Sequence, residues 1–464
     1  MNLGFHGFGG IFGRDRNSDA DKIPAILVAA FDYGAVYSAH REQQRAFTVS
    51  HMRVGDGFIA VYGDRYRDLA PDIEFEALDQ ALGWLSQTHN RYCGVYCSET
   101  AIELFTDHAS ACPLYFSDEN GVLRFACSIR DLNALGARAR LREAASGRPI
   151  PKSGETLFVG TKAVRPGEIV RYRRHPSKSI SYEDSRRYFT LPNTPQIYDE
   201  HVARQVVLDA LSASVVECLS GAKEVGITLS GGVDSAAVAA LARPHVKEMY
   251  SYTVGTPYRN EFAEARVTAK HLRSRHSEFL MSSEDARATL REAIEAFETW
   301  DPVTLQIVLP VCFLYKKLAG RHALLLTGYG SDLIFAGLPM QMGSAAEFEA
   351  QLRGDIGLTA RTNELSPALA DSHSVVVRYP FWSRRVLRDG LLVGSELKTK
   401  NREKYILRQA VSPFLPREIA WRPKTAIHDG AAVPTLMAEL LGTADVGEQA
   451  NKLHAIASSV FQPQ

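Results

Sequence analysis

Leu229-Ser230-Gly231-Gly232-Val233-Asp234-Ser235 closes the apolar run Val225-Gly226-Ile227-Thr228-Leu229 and opens a stretch rich in alanine: Ala236, Ala237, Ala239, Ala240 and Ala242. A buried strand that passes through two glycines into a helix predicts an anion cradle. Gly231 and Gly232 have no Cβ to keep the backbone from wrapping an anion. The amides at the helix start would point at that anion, and the helix dipole favours its charge. Ser230 and Ser235 add hydroxyl donors. Asp234 repels phosphate by itself, so its place in the loop calls for Mg²⁺ between carboxylate and phosphate oxygens. No lysine follows the glycines, which excludes the G-x-x-x-x-G-K-[ST] loop. The competing reading is a tight strand-to-helix turn in which the glycines serve geometry alone.

Around this segment helices and buried strands alternate. His201 to Cys218 carries Val202, Val206, Val207, Leu211, Val215 and Val216 at helical spacing. Strand-like runs recur at Met249-Tyr250-Ser251-Tyr252-Thr253-Val254 and Ala323-Leu324-Leu325-Leu326. Alternation of this kind predicts a parallel sheet covered on both faces. Upstream the pattern is β-rich, with runs at Phe58–Tyr62, Ile102–Phe105, Leu123–Ala126 and Ile169–Tyr172 between turn residues. The polar, proline-bearing Leu191-Pro192-Asn193-Thr194-Pro195 divides the two patterns, which sets domains at 1–195 and 196–464. A chain of 464 residues suits two unequal domains.

Composition narrows the partners. Lys+Arg and Asp+Glu both number 53, without the basic excess that nucleic acid or an anionic membrane would call for. Cys93, Cys97, Cys112, Cys127, Cys218 and Cys312 show no paired C-x-x-C spacing and read as free thiols in a reducing compartment. The N-terminus has no signal-peptide h-region, and no apolar run nears the ~18–20 residues that span a bilayer. A cytoplasmic protein is expected.

Downstream motifs are more particular. They are Asn260-Glu261-Phe262 before Ala265-Arg266 and His271-Leu272, then Leu326-Thr327-Gly328-Tyr329-Gly330-Ser331-Asp332 and Thr362-Asn363-Glu364-Leu365-Ser366-Pro367. Lys404-Tyr405-Ile406-Leu407-Arg408 and Trp421-Arg422-Pro423-Lys424-Thr425-Ala426-Ile427-His428-Asp429-Gly430 follow. With the S-G-G-x-D-S loop, which resembles that of the ATP pyrophosphatases, this set resembles the asparagine synthetase B superfamily. Within it, the set is similar to the β-lactam synthetase and carbapenam synthetase branch. The resemblance is strong from about residue 200 to about residue 435 and weak before that. It implies an α/β two-domain protein: an N-terminal glutaminase-like (Ntn-type) β-rich sandwich and a C-terminal doubly wound α/β ATP-pyrophosphatase-like synthetase domain.

Two departures from asparagine synthetases sharpen the resemblance. Where they carry S-G-E-G-A-D-E, this chain has Tyr329 for the first glutamate and Leu333 for the second. A tyrosine there marks the β-lactam branch, which pairs it with a later glutamate, and Glu364 stands in a T-N-E-x-S-P stretch like that branch's own. Glutamine hydrolysis in the superfamily needs a cysteine directly after Met1, and here that residue is Asn2. Asp107 to Phe116 resembles the glutaminase D-R-x-G-x-x-P-L-Y-Y, altered at His108 and Ser110.

The implied cofactors are ATP and Mg²⁺. The nucleotide would be held by Leu229, Ser230, Gly231, Gly232, Asp234, Ser235, Val254, Gly255, Gly328 and Lys404, and the metal by Asp234 and Asp332. Tyr329 and Glu364 would move the amine's proton, and Lys424 would hold the oxyanion. Bland readings stand beside these: a packed aromatic for Tyr329, an exposed helix acid for Glu364, a surface ion pair for Lys424 and a solvated helix lysine for Lys404. His428 is read as shaping its loop. Glu261 and Glu264 could approach the ribose or the substrate amine.

The expected reaction is adenylation of a small β-amino acid and its closure to a β-lactam, with AMP and pyrophosphate released, in antibiotic or toxin biosynthesis. Substrate choice is assigned to loops between Val303 and Leu309 and between Gly337 and Asn363. Other amide-forming ligases of the superfamily, a lasso peptide cyclase or an ammonia-dependent asparagine synthetase, are alternatives. A non-catalytic nucleotide-binding scaffold is another. No nucleic acid or membrane partner is expected, and a homodimer stays open.

Overall fold

The computed structural model describes residues 8–12, 26–31, 34–38, 47–65, 74–143, 147–177, 179–321, 324–338, 344–423 and 430–461. Up to Arg187 the described chain forms two six-stranded antiparallel sheets. One runs Lys162–Ala163, Tyr115–Glu119, Val122–Ala126, Phe8–Phe12, Gly34–Ser38, Ile26–Phe31, and the other Ile180–Arg187, Glu168–Arg174, Ala101–Thr106, His89–Cys97, Gly57–Arg65, Phe47–Val54. Phe8, Phe12, Phe116 and Phe125 of the first sheet bury against Tyr62, Val95, Leu104 and Tyr172 of the second, which makes a sandwich with one apolar interior. The β-rich reading of this half holds at each of its four runs.

Asp199 starts the helix Glu200–Leu219 by accepting from Val202 N at 2.9 Å. Its buried face is Ala203, Val207, Ala210, Leu211, Ser214, Val215 and Cys218, whereas Val202 and Val216 are exposed. The apolar spacing therefore found the helix but placed two valines on the wrong side. A five-stranded parallel sheet follows, ordered Arg275–Leu280, Glu248–Gly255, Glu224–Thr228, Leu324–Thr327, Val376–Arg378. Val225, Gly226 and Ile227 are consecutive and all buried, so helices must cover both faces of the sheet.

The sandwich and the parallel sheet are joined through buried polar contacts. Arg378, at the end of the last strand, pairs with Asp64 at 2.8 Å and donates to Cys218 O at 2.7 Å. Arg91 donates to Leu365 O at 2.9 Å and Val377 O at 2.7 Å. The segment Val303–Leu309, expected as loop, is part of the helix Pro302–Leu318. Asp301 caps that helix and Pro302 fits its first turn. Gly337–Asn363 likewise contains the helix Ala345–Arg361. All six cysteines are free thiols, and no helix among the described residues is long and apolar enough to cross a membrane.

Candidate active site

The order of the parallel strands fixes where a site can form. After Glu224–Thr228 the chain adds two strands on one side, then returns to add Leu324–Thr327 and Val376–Arg378 on the other. Loops leaving Thr228 and Thr327 therefore part in opposite directions, which opens a crevice at the carboxyl ends of the strands. The Ser230–Ser235 loop lies on one wall, with Ser230 N donating to Ser235 Oγ at 3.0 Å and Gly232 N to Ser230 Oγ at 3.2 Å. Gly328 starts the other wall, and a Cβ there would stand 2.5 Å from Ser235 N, so only glycine lets the two loops touch. Gly330 adopts φ +101° beneath the indole of Trp382, a second position that demands glycine.

Asp234 and Asp332 come from the two walls and meet at one ammonium. Lys404 Nζ lies 2.5 Å from Asp234 Oδ2 and 3.1 Å from Ser331 Oγ, and it also pairs with the Asp332 carboxylate. Lys404 is fully buried, which rules out the solvated helix lysine. Burial alone would lower its pKa, but the two carboxylates outweigh burial and raise it, so the ammonium is charged. Asp234 Oδ1 is buried without a hydrogen-bond partner among the described residues. Two carboxylates converging on a cation, with an oxygen to spare, match the hard-oxygen donors that Mg²⁺ takes.

Tyr329 follows Gly328, its ring stacked 6.4 Å from Trp382 and edge-on to Tyr379 at 6.2 Å. Its phenol donates to Glu364 Oε2, and Thr362 Oγ1 donates to Glu364 Oε1 at 2.6 Å. Glu364 is thus partly buried and doubly held, not an exposed helix acid. Burial raises the Glu364 pKa above the ordinary carboxylate range, against the opposing bonds from Thr362 and Tyr329. Burial and then the Glu364 charge push the Tyr329 phenol well up.

A cavity of about 350 Å³ connects these groups. Leu229, Ser230, Asp234, Ser235, Val254, Gly328, Tyr329, Asp332 and Glu364 line it, whereas Gly231, Gly232, Gly255 and Lys404 are not among its lining residues. Lys424 and His428, like Asn2, lie outside the described residues. Val303, Ile307, Val311 and Leu314 of the helix Pro302–Leu318 give the cavity an aliphatic side, and Leu358 and Thr359 of Ala345–Arg361 face it.

Two arginines were not singled out from the sequence. Arg422 lies against the Ser230–Ser235 loop, where a Cβ on Gly231 would overlap its guanidinium. Glu261 holds Arg422 at 2.9 Å and Glu264 at 3.2 Å, so these acids orient a cation beside the loop. The signal was present two residues before Lys424. Arg148 lines the cavity from the sandwich half and is held by Asp301 through bonds of 2.9 and 2.6 Å. No local motif announces Arg148, because its partner is 153 residues away.

A crevice at the switch point of a parallel sheet, with a glycine-rich anion loop and facing aspartates, defines the class of ATP-using α/β synthetases. The chain belongs to the asparagine synthase family, whose model matches residues 206–371 and 362–461, and it is an ATP-dependent carbon–nitrogen ligase. It is 30% identical over 378 residues to carboxyethyl-arginine β-lactam synthase of Streptomyces clavuligerus, covering 81% of this chain and 71% of that one. Asparagine synthetase B of Escherichia coli is 26% identical over 80% of this chain and 67% of its own length. Chicken (Gallus gallus) asparagine synthetase is 29% identical over 61% of this chain and 55% of its own. Among solved structures, the NH₃-dependent NAD synthetase of Campylobacter jejuni aligns over 58% of this chain and 99% of its own at 18% identity, TM-score 0.26.

Proposed function

We propose that the chain is a β-lactam synthetase, which adenylates the carboxylate of a β-amino acid and closes it on its own amine. The observation that carries this reading is the Tyr329 phenol bonded to Glu364 at the edge of the nucleotide crevice. An ionised substrate carboxylate attacks the α-phosphorus of ATP and displaces pyrophosphate. The Ser230–Ser235 loop, with Arg422 beside it, supplies donors for the phosphates. Asp234 and Asp332 would hold Mg²⁺, which neutralises triphosphate charge when bound.

Ring closure needs the amine stripped of its proton. A phenol, whose ordinary pKa is ~10 and which burial pushes further up here, takes up the amine's proton only if its own proton can leave as the amine's arrives. Glu364 can take that proton because burial has already made it more basic than a surface carboxylate. The Tyr329 oxygen then relays charge without a free phenolate in the crevice. Lys424 is assigned to the tetrahedral oxyanion, and AMP leaves.

The sandwich, residues 1–195, is proposed as a degenerate glutaminase-like domain that makes no ammonia, since Asn2 replaces the nucleophilic thiol. Asp107 keeps a structural role there, accepting from Tyr92 N, Ala109 N, Ala111 N and Cys112 N at 2.9–3.1 Å. Ser110 takes φ +51° at the position where the glutaminase pattern has glycine. The synthetase domain would span 196–464, and the ligand set suits a small molecule in the cell interior, with a homodimer left open.

The deciding experiment incubates the purified enzyme with ATP, Mg²⁺ and a panel of β-amino acids. The expected result is a product lighter by one water, with AMP and pyrophosphate in equal amounts and no glutamate released from glutamine. ADP as the nucleotide product, or asparagine formed from aspartate and ammonia, would overturn the reading.

A further inference from the structure

Inside the sandwich, away from the nucleotide crevice, three cysteines from separate segments converge. Cys93 lies on His89–Cys97, Cys112 precedes Tyr115–Glu119, and Cys127 follows Val122–Ala126. Cys93 Sγ is 3.4 Å from Cys112 Sγ and 3.3 Å from Cys127 Sγ, and all three sulfurs fall within 4.8 Å of one another. Cys218 and Cys312, buried elsewhere, have no such company among the described residues.

We propose that Cys93, Cys112 and Cys127 form a three-thiolate site for a soft monovalent metal ion, Cu(I). Thiolates select soft ions such as Cu(I), zinc and iron–sulfur clusters. Structural zinc closes its shell with four ligands, and the described residues offer only three here. Asp107, whose carboxylate accepts from the Cys112 amide, has its oxygens engaged by four backbone amides. A three-coordinate soft ion needs no fourth ligand.

The distances suit such an ion. Sulfurs ~2.3 Å from a common centre in a trigonal plane stand roughly 4 Å apart, so two pairs open by about 0.6 Å on binding. Small χ1 rotations supply that. The backbone is already fixed: Asp107 ties Tyr92, beside Cys93, to Cys112, and Cys127 N donates to Phe8 O at 2.9 Å. Cys127 is partly exposed, which gives an ion an approach. Binding displaces a proton from each thiol it converts, with no change of oxidation state.

The test uses the full-length enzyme, reduced and under anaerobic conditions, competing with bathocuproine disulfonate for Cu(I). The expected outcome is one ion taken per chain, with a thiolate-to-copper absorption band. Cys93→Ser, Cys112→Ser and Cys127→Ser should each weaken uptake at least tenfold, while Cys218→Ser and Cys312→Ser leave it unchanged. X-ray absorption on the copper-loaded wild type keeps the test independent of how the variants fold. Three sulfur scatterers are expected, and two sulfurs or a nitrogen–oxygen shell would overturn the proposal. Uptake equal in all five variants, no uptake, or a disulfide among these cysteines in the reduced enzyme would do the same.

Discussion

Lys404 Nζ stands 2.5 Å from Asp234 Oδ2, so the cation expected to meet phosphate is bonded to an acid expected to hold a metal. Gly337 makes this possible, since a Cβ there would overlap both Asp332 and Lys404. Replacing Lys404 by methionine leaves Asp234 and Asp332 facing one another without a counter-charge. Loss of one partner from a buried cluster costs roughly 3 kcal/mol, and that destabilisation is expected in Mg²⁺-free buffer. Millimolar Mg²⁺ should then restore much of the lost melting temperature in Lys404→Met while moving the wild type less. A melting temperature indifferent to Mg²⁺ in both proteins would remove the aspartates as metal ligands.

The polar tie between the halves predicts a different loss. Asp64 is the carboxylate partner of Arg378, which is itself buried at the end of a core strand. Asp64→Ala strands that guanidinium and should lower the unfolding free energy by roughly 3–5 kcal/mol, measured by denaturant titration. The double variant Asp64→Ala/Arg378→Met should recover part of it. A single variant as stable as the wild type would show that the pair holds nothing together.

Much of this architecture could be read from the chain, for local reasons. The S-G-G-x-D-S segment between an apolar run and an alanine-rich helix fixes strand, turn and helix within a dozen residues, and Gly328 and Asp332 follow a second such strand. Tyr329 and Glu364 are singled out only by the resemblance to the β-lactam branch, since no local pattern pairs residues 35 apart. Arg148 and Asp64 could not be found this way, because each meets a partner more than 150 residues off. The Lys404 bridge is not legible in the sequence, because Lys404 stands at φ +58° just before Tyr405–Val411 and its partner Asp234 is 170 residues away. Val303–Leu309 is helix and not loop, with Pro302 in the first turn of Pro302–Leu318 and Pro310 tolerated within it.

Glu364 makes a prediction about pH. Its folded-state pKa is raised, so its contribution to stability is full below the ordinary value of 4.5 and is lost as pH climbs through the folded value. At neutral pH the buried carboxylate therefore costs stability. Glu364→Gln should melt higher than the wild type near pH 7, with the gap closing as pH falls toward 4.5. It should also lose most of the cyclising activity, a trade of function against stability. A variant less stable than the wild type at pH 7 would mean that the bonds from Tyr329 and Thr362 outweigh burial.

Tyr329→Phe separates the two chemical steps. Adenylation needs an ionised carboxylate, which is available at neutral pH without a base, together with the phosphate loop and its aspartates. The Tyr329 hydroxyl is bonded to Glu364, and neither belongs to that loop or to the two aspartates. The phenylalanine ring keeps the stack on Trp382 and the edge contact with Tyr379, so the crevice should hold its shape. Substrate-dependent pyrophosphate release in a single turnover is expected to persist, while lactam formation falls by about 10²–10⁴, the range of a lost general base. Hydroxylamine should capture the stalled acyl-adenylate as a hydroxamate in the variant and much less of it in the wild type. Raising the pH should rescue ring closure in part, because a larger share of substrate amine is then free without the relay. Product formed at the wild-type rate would take the phenol out of the proton path. Pyrophosphate release lost together with the lactam would instead place Tyr329 in nucleotide binding, and the β-lactam assignment would lose the residue pair on which it stands.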